Sequence, residues 1–423
     1  MRRISTILST VSGMVLLVGL GAPALGSDPH PGVVVEDAAD YTPQLVPTGG
    51  VDRPHADALT QLGDTVYAAG LFERVSQGGS TYNRTNVVAF DADNGAVRSF
   101  APTVNGQVWA LAAAGNSIYI GGKFTTVSGV SRPNLVKVDA TTGAVDTAFR
   151  PRVQGRVNAL VVSRGQLFVG GAFAKKLMAV NLATGADTGF VNLSVTDAIP
   201  NAWGNVAIYA MAINSAGTQL VATGNFRTVA GQSRTRLFVA DLGATSATLS
   251  SWYYEGFELR CSSTNPRRIA YLQGVDFSPD GSYFVVVSTG QISRAGDLGE
   301  SVCDAAGRFD LNDDSQPEWI NYTGGDSLWS VAATGAAVYV QGHHTWLDNA
   351  GGWQNHPVPG AVQRRGIGAI HPGTGLALPW NPGKPAQIGG KAFLATSDGL
   401  WVASDSQNFN GEDHRGIAFC PLP

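Results

Sequence analysis

Residues 106–154 read GQVWALAAAGNSIYIGGKFTTVSGVSRPNLVKVDATTGAVDTAFRPRVQ, and the pattern of this stretch decides the fold. Three apolar runs, VWALAAA, SIYIGGKF and NLVKVD, are followed by a shorter one around Phe149. Alternation over four to eight residues, broken by Gly, Asn and Ser, is the signature of β-strands. Gly115-Asn116 and Thr142-Gly143 supply the positive φ that tight hairpins need. The stretch therefore predicts a four-stranded antiparallel meander of about fifty residues.

This unit recurs along the chain. Ile120-Gly121-Gly122-Lys123-Phe124 has counterparts at residues 68–72, 169–173 and 222–226, and weaker ones at 288–292 and 340–344. A degenerate copy lies at Ala403-Ser404-Asp405. With Gly70, Gly122, Gly171, Gly224, Gly290, Gly342 and Asp405 as markers, the steps are 52, 49, 53, 66, 52 and 63 residues. A four-stranded unit repeated at this period is the mark of a β-propeller, and seven units predict seven blades. Arg84, Arg132, Arg234, Arg365 and Arg415 recur just before the third strand, and a residue repeated in most units reads as structural. The last unit ends at its third strand, while residues 41–47 (YTPQLVP) resemble the fourth strands SFAP at 99–102 and AFRP at 148–151. The N-terminal segment is thus expected to complete the last blade, which would remove an open sheet edge.

The chain begins like an exported protein. Arg2 and Arg3 precede an apolar core over residues 11–20, and Ala24-Leu25-Gly26 ends in small residues before Ser27. Residues 1–26 read as a secretory signal peptide, 27–40 as a short linker and 41–423 as a single propeller domain. No later apolar run approaches the roughly 18 residues of a membrane span. A net charge of −4 without a basic run argues against nucleic acid as a partner. Cys261 and Cys303 flank the longest unit and are expected to form a disulfide that staples its two insertions, at residues 262–268 and 295–302. Cys420, in the last strand, reads as a buried free thiol.

Candidate chemistry sits where the repeat varies. The residue opening each first strand differs in kind from unit to unit: Asp57, Trp109, Asn158, Tyr209, Gln273, Trp329 and Lys391. In a propeller these would ring one mouth of the axial channel, and aromatic faces beside amides and charges suit a hydroxyl-rich ligand. The alternative is that they fill the channel and satisfy one another. In the sixth unit, His343, His344, Trp346, Trp353 and His356 form a candidate partner surface. A metal there is disfavoured because alternation sends His343 and His344 to opposite faces, and His371 occupies a turn position held elsewhere by Asp91 and Asp139. Residues 310–314 (DLNDD) open like a calcium loop but lack its Gly and its twelfth-position Glu, so they read as a hairpin. No nucleophile elbow, phosphate loop or zinc-protease helix appears. No catalytic residue, cofactor or metal is therefore assigned.

The units IYIGGKFTTVSGVSRPNLVKVDATTGAVDTAFRP (118–151) and NFRTVAG (225–231) resemble those of the delta-60 repeat β-propellers of secreted actinobacterial proteins. The third unit departs by losing the Val-x-Gly segment after Phe173. That resemblance implies fold and export but no reaction, since the fold hosts many functions. The expectation is a secreted, monomeric, non-catalytic propeller binding a glycan, a cell-wall polymer or a secreted protein, at the channel mouth or the sixth-unit loops. The competing expectation is an extracellular enzyme on the same scaffold, a carbohydrate-active hydrolase or lyase or a quinone-type oxidoreductase.

Overall fold

The computed structural model describes residues 27–262, 265–290, 302–314, 316–353, 356–385 and 389–423. The expected signal peptide lies outside them, as do residues 295–301 of the second insertion. Among the described residues, seven antiparallel sheets each open on a long strand: His55–Leu62, Gln107–Ala114, Val157–Ser163, Ala207–Ile213, Tyr271–Phe277, Leu328–Ala333 and Ala392–Thr396. Each first strand pairs with a second, which pairs with a third. The first strands touch one another in chain order, and the seventh touches the first, so the sheets form a closed cycle.

Each gap between neighbouring sheets holds its own apolar core. Tyr67 and Ala69 face the second sheet, meeting Ile118 and Ile120, while Val66 and Ala68 face the seventh, meeting Trp401 and Phe419. Side chains alternate across a strand, and both faces here are covered, so the middle strands read as continuous apolar runs. Cys261 and Cys303 are disulfide-bonded, and Cys420 is a buried free thiol.

Among the described residues the expected four strands per sheet are paired in only two sheets, the fourth and fifth. In the first, second, third and sixth sheets the outer segment is reduced to a single bridge, as at Phe90–Val97 and Val138–Val145. An aromatic follows the bridge and turns into the core, Phe100 and Phe149 being fully buried, and in the first, second and sixth sheets a Pro comes two residues later. Proline lacks the N–H that would extend the ladder. The seventh sheet receives the N-terminal segment: Val35 N donates to Pro421 O and Ala39 N to Phe419 O. The latter bond matches Arg98 N to Ala89 O in the first sheet. Residues 27–40, expected as a linker, are therefore held in place, with Val34 and Ala38 in the core between sheets six and seven. Residues 44–46 pair instead with Arg74–Gln77, and Leu45 N donates to Arg415 O.

The recurring arginines are clamps. Arg84, Arg132 and Arg234 each donate to the backbone carbonyl of the preceding residue and to one on the outer segment. In the sixth sheet that role falls to Arg364, not to the expected Arg365, through bonds to Gln363 O and Leu378 O. In the seventh, Arg415 pairs with Asp413, and the clamp position, three residues before the third strand, is taken by His414, bonded to Thr42.

Candidate functional site

Six of the first strands carry a β-bulge near their start, and the extra residue in each is Asp57, Trp109, Asn158, Tyr209, Gln273 or Trp329. A bulge leaves one residue out of the ladder and re-aims its side chain. Lys391 stands at the same place, just ahead of Ala392–Thr396. All seven, joined by Arg156, line one cavity of about 350 Å³ at one end of the cycle.

In five of the six bulged sheets the bulge faces a repeated glycine. Gly70, Gly122, Gly171, Gly224 and Gly342 each pair with the residue just before the bulged one. A Cβ on any of them would stand 2.0–2.2 Å from a first-strand carbonyl oxygen. In the fifth sheet the residue in this position is Ser288, two before the expected marker Gly290; its hydroxyl is bonded to Ala305. In the seventh, the Ala392–Ala403 pairing puts Ser404 there, one before Asp405.

The mouth is charged and aromatic at once. Lys391 Nζ lies 3.5 Å from the Trp329 ring centroid, and the Arg156 guanidinium carbon 4.9 Å from that of Trp109. Burial lowers the Lys391 pKa, opposed by Asp57 and Asp405, and pushes the Tyr209 hydroxyl up to about 12. Asn158 donates to Ile208 O, and the buried Trp329 Nε1 has no hydrogen-bond partner among the described residues. Asp57, almost fully buried, accepts from Gln107 Nε2 at 2.6 Å and meets His55 Nε2 at 3.4 Å. Burial pulls the His55 pKa down, but the bond and charge of Asp57 outweigh it and leave it above its usual value.

Asp57, Trp109 and Lys391 also line a second cavity of about 750 Å³, which runs outward over the junction of the first and seventh sheets. Arg53, His55, Gln107, Asp405 and Arg415 share its wall. Both volumes fall within the range typical of small-ligand pockets. Arg156, His55 and Gln107 went unread in the sequence because they stand outside the repeated position. Trp203, 86% exposed on the loop before the Tyr209 strand and donating its backbone N–H to the Tyr271 hydroxyl, was also missed.

The sixth-unit histidines do not converge. His344 is fully buried and cannot form part of a partner surface: it fills the position of Phe72, Phe124, Phe173 and Phe226. Burial, with Lys384 nearby, lowers its pKa to about 3, and among the described residues neither ring nitrogen has a hydrogen-bond partner. His343 and His356 are exposed, and Trp346 and Trp353 are half-buried. Trp353 packs beside the disulfide and stacks on His356, with centroids 6.4 Å apart. His371 Nδ1 accepts from Gly373 and Thr374, the turn role that Asp139 fills with Thr141 and Thr142. Asp310 pairs with Arg308. Among the described residues no helix is long and apolar enough to cross a membrane.

No protein-family model and no curated protein matches the sequence. Solved structures do. The structure of U3-55K superposes at a TM-score of 0.52 and 11% identity, over 91% of this chain and 100% of the other. The crystal structure of RRP9 WD40 repeats gives 0.50 and 11%, over 92% and 100%. At such identity the likeness is one of fold alone: an all-β domain of many antiparallel sheets resembling WD40-type propellers.

Proposed function

We propose that this chain is an exported, monomeric, seven-bladed propeller of the delta-60 repeat type, a single domain that includes residues 27–40, whose N-terminal segment completes the last blade. We further propose that it binds a glycan or cell-wall polymer at the axial mouth and catalyses nothing. One observation carries the binding reading: seven side chains of six kinds, each at the same position of a repeat, line one cavity. A structural filler would be expected to repeat with the scaffold, as the Arg clamps do. Flat Trp109, Trp329 and Tyr209 rings suit the apolar faces of sugar rings, and Asp57, Asn158, Gln273, Arg156 and Lys391 suit their hydroxyls.

The test is thermal unfolding against a panel of cell-wall and plant-polymer oligosaccharides, with EDTA and calcium as controls. A ligand that binds only the folded state raises the midpoint, by about 2.7 kcal/mol of stabilisation at a hundredfold excess over Kd. The expected result is a rise with one sugar class, abolished by Trp109→Ala with Trp329→Ala. No rise with any sugar would sink the reading and turn attention to protein partners at His343, Trp346, Trp353 and His356.

A second reading draws on the larger cavity, where Asp57 and Asp405 stand with His55 and Lys391. Two carboxyl groups facing one cavity are what a carbohydrate-active hydrolase requires. Release of new reducing ends from the same oligosaccharides, lost in both Asp57→Asn and Asp405→Asn, would establish the enzyme over the binding module.

A further inference from the structure

At the opposite end of the first strands, a few residues beyond the ring, a cavity of about 270 Å³ is lined in part by Ser27 and Asp276. Ser27 Oγ donates to Asp276 Oδ2 at 2.6 Å, and the Ser27 backbone N–H also bonds this carboxyl group. Ala333 N donates to Oδ2 at 2.8 Å. From there the segment runs outward under further restraint. His30 N donates to Thr334 O, His30 Nε2 lies 2.9 Å from Thr396 O, and Val34 N donates to the Tyr339 hydroxyl. Ser27 is thus held at the far mouth.

Asp276 has donors but no counter-charge. Among the described residues no Lys, Arg or His forms an ion pair with it. Burial pushes its carboxyl up to about 6, although the bonds from Ser27, Ala333 and Phe277 work the other way. A desolvated carboxylate is costly unless a cation pairs with it. Independently, the leader-like segment ends in Ala24-Leu25-Gly26, small residues of the kind that precede a cleavage point.

We infer that the chain is cut between Gly26 and Ser27 and that the freed α-ammonium of Ser27 is the counter-ion of Asp276, anchoring the N-terminal segment at the far mouth. This rests on the export reading above. A leader endopeptidase of the exporting cell adds water across the Gly26–Ser27 amide. The C–N bond breaks, Gly26 leaves as a carboxylate, and the Ser27 amine takes up the protons, since an α-amino group is largely protonated at neutral pH. The backbone nitrogen that already bonds Asp276 gains a positive charge without moving. The last-blade segment is then fastened at both ends, by this ion pair and by the bonds to Pro421 and Phe419.

The experiment expresses the full chain with its leader in a secreting host and reads the N-terminus of the exported protein by mass spectrometry. A second form carries extra residues before Ser27, which keep that nitrogen an amide. Asp276→Asn is made in both. The expected results are a chain starting at Ser27, and a fall in Tm on Asp276→Asn of a few degrees that is at least halved in the extended form. This difference isolates the pair, as a double-mutant cycle does. A chain starting elsewhere, or an equal fall in both forms, overturns the inference. Retention inside the cell would overturn the export reading with it, a distinguishable outcome. A failed oligosaccharide panel concerns the opposite mouth and leaves this result standing.

Discussion

His55 and Gln107 meet Asp57 where it lines both cavities, and their geometry makes a residue-scale prediction. Gln107 Nε2 lies 2.6 Å from Asp57 and 3.2 Å from His55 Nε2, so the amide and the imidazole converge on one carboxylate. His55 is raised above its usual value, because the effect of Asp57 exceeds that of burial. The stability it confers is therefore fully present below the unfolded-state pKa of about 6.5 and fades as pH rises through the raised folded value. The Tm gap between the protein and its His55→Gln variant should be widest near pH 5 to 6 and close toward about pH 8. A gap that grows with pH would contradict the assignment. At this scale the sequence is only partly legible. His344 follows Gly342 at the spacing at which Phe follows Gly in the earlier units, so its burial could have been read from the repeat. That Arg156 joins the ring could not, because it stands two residues ahead of the bulged residue just as His55 and Gln107 do, and of the three it is Arg156 that lines the smaller cavity.

The element that makes the site is the bulged first strand facing a glycine. Where Val108 pairs with Gly122, a Cβ on the glycine would lie 2.2 Å from Gln107 O, against backbone that cannot yield locally. Gly122→Ala should therefore destabilise by about 1–3 kcal/mol or more, seen as a lower urea midpoint with unchanged slope. Gly49→Ala, where nothing lies within 4 Å, should stay within about 0.5 kcal/mol. Equal effects would refute a steric role for the repeated glycine. The glycines were visible as a ruler in the sequence, but the bulge opposite them was not. A bulge arises from pairing between two strands, and a single strand's pattern does not record which of its residues will be left over.

At the scale of the whole molecule, the cycle depends on a seam where the chain's two ends meet. Leu45 is fully buried between the seventh and first sheets, beside Val75 and Ile417. Leu45→Ala should cost about 2–5 kcal/mol. Because the cavity opens at the seam, hydrogen exchange should quicken first in residues 417–421 and 35–45, before the third and fourth sheets respond. Uniform quickening would show that the seam is no weaker than any other gap. The sequence by itself determined the strands, their hairpins, the number of repeats, the position that varies among them and the pairing of Cys261 with Cys303. All of these are local or periodic properties, written in alternation, turn residues and spacing. Only the tertiary structure decided that Arg156 joins the seven positions around one cavity, that four outer segments shrink to single bridges, and that residues 27–40 run along the seventh sheet and pack against the sixth. Those outcomes depend on contacts between residues far apart in the chain, as Ser27 with Asp276 and Val35 with Pro421 make plain, and such contacts leave no period in the sequence to read.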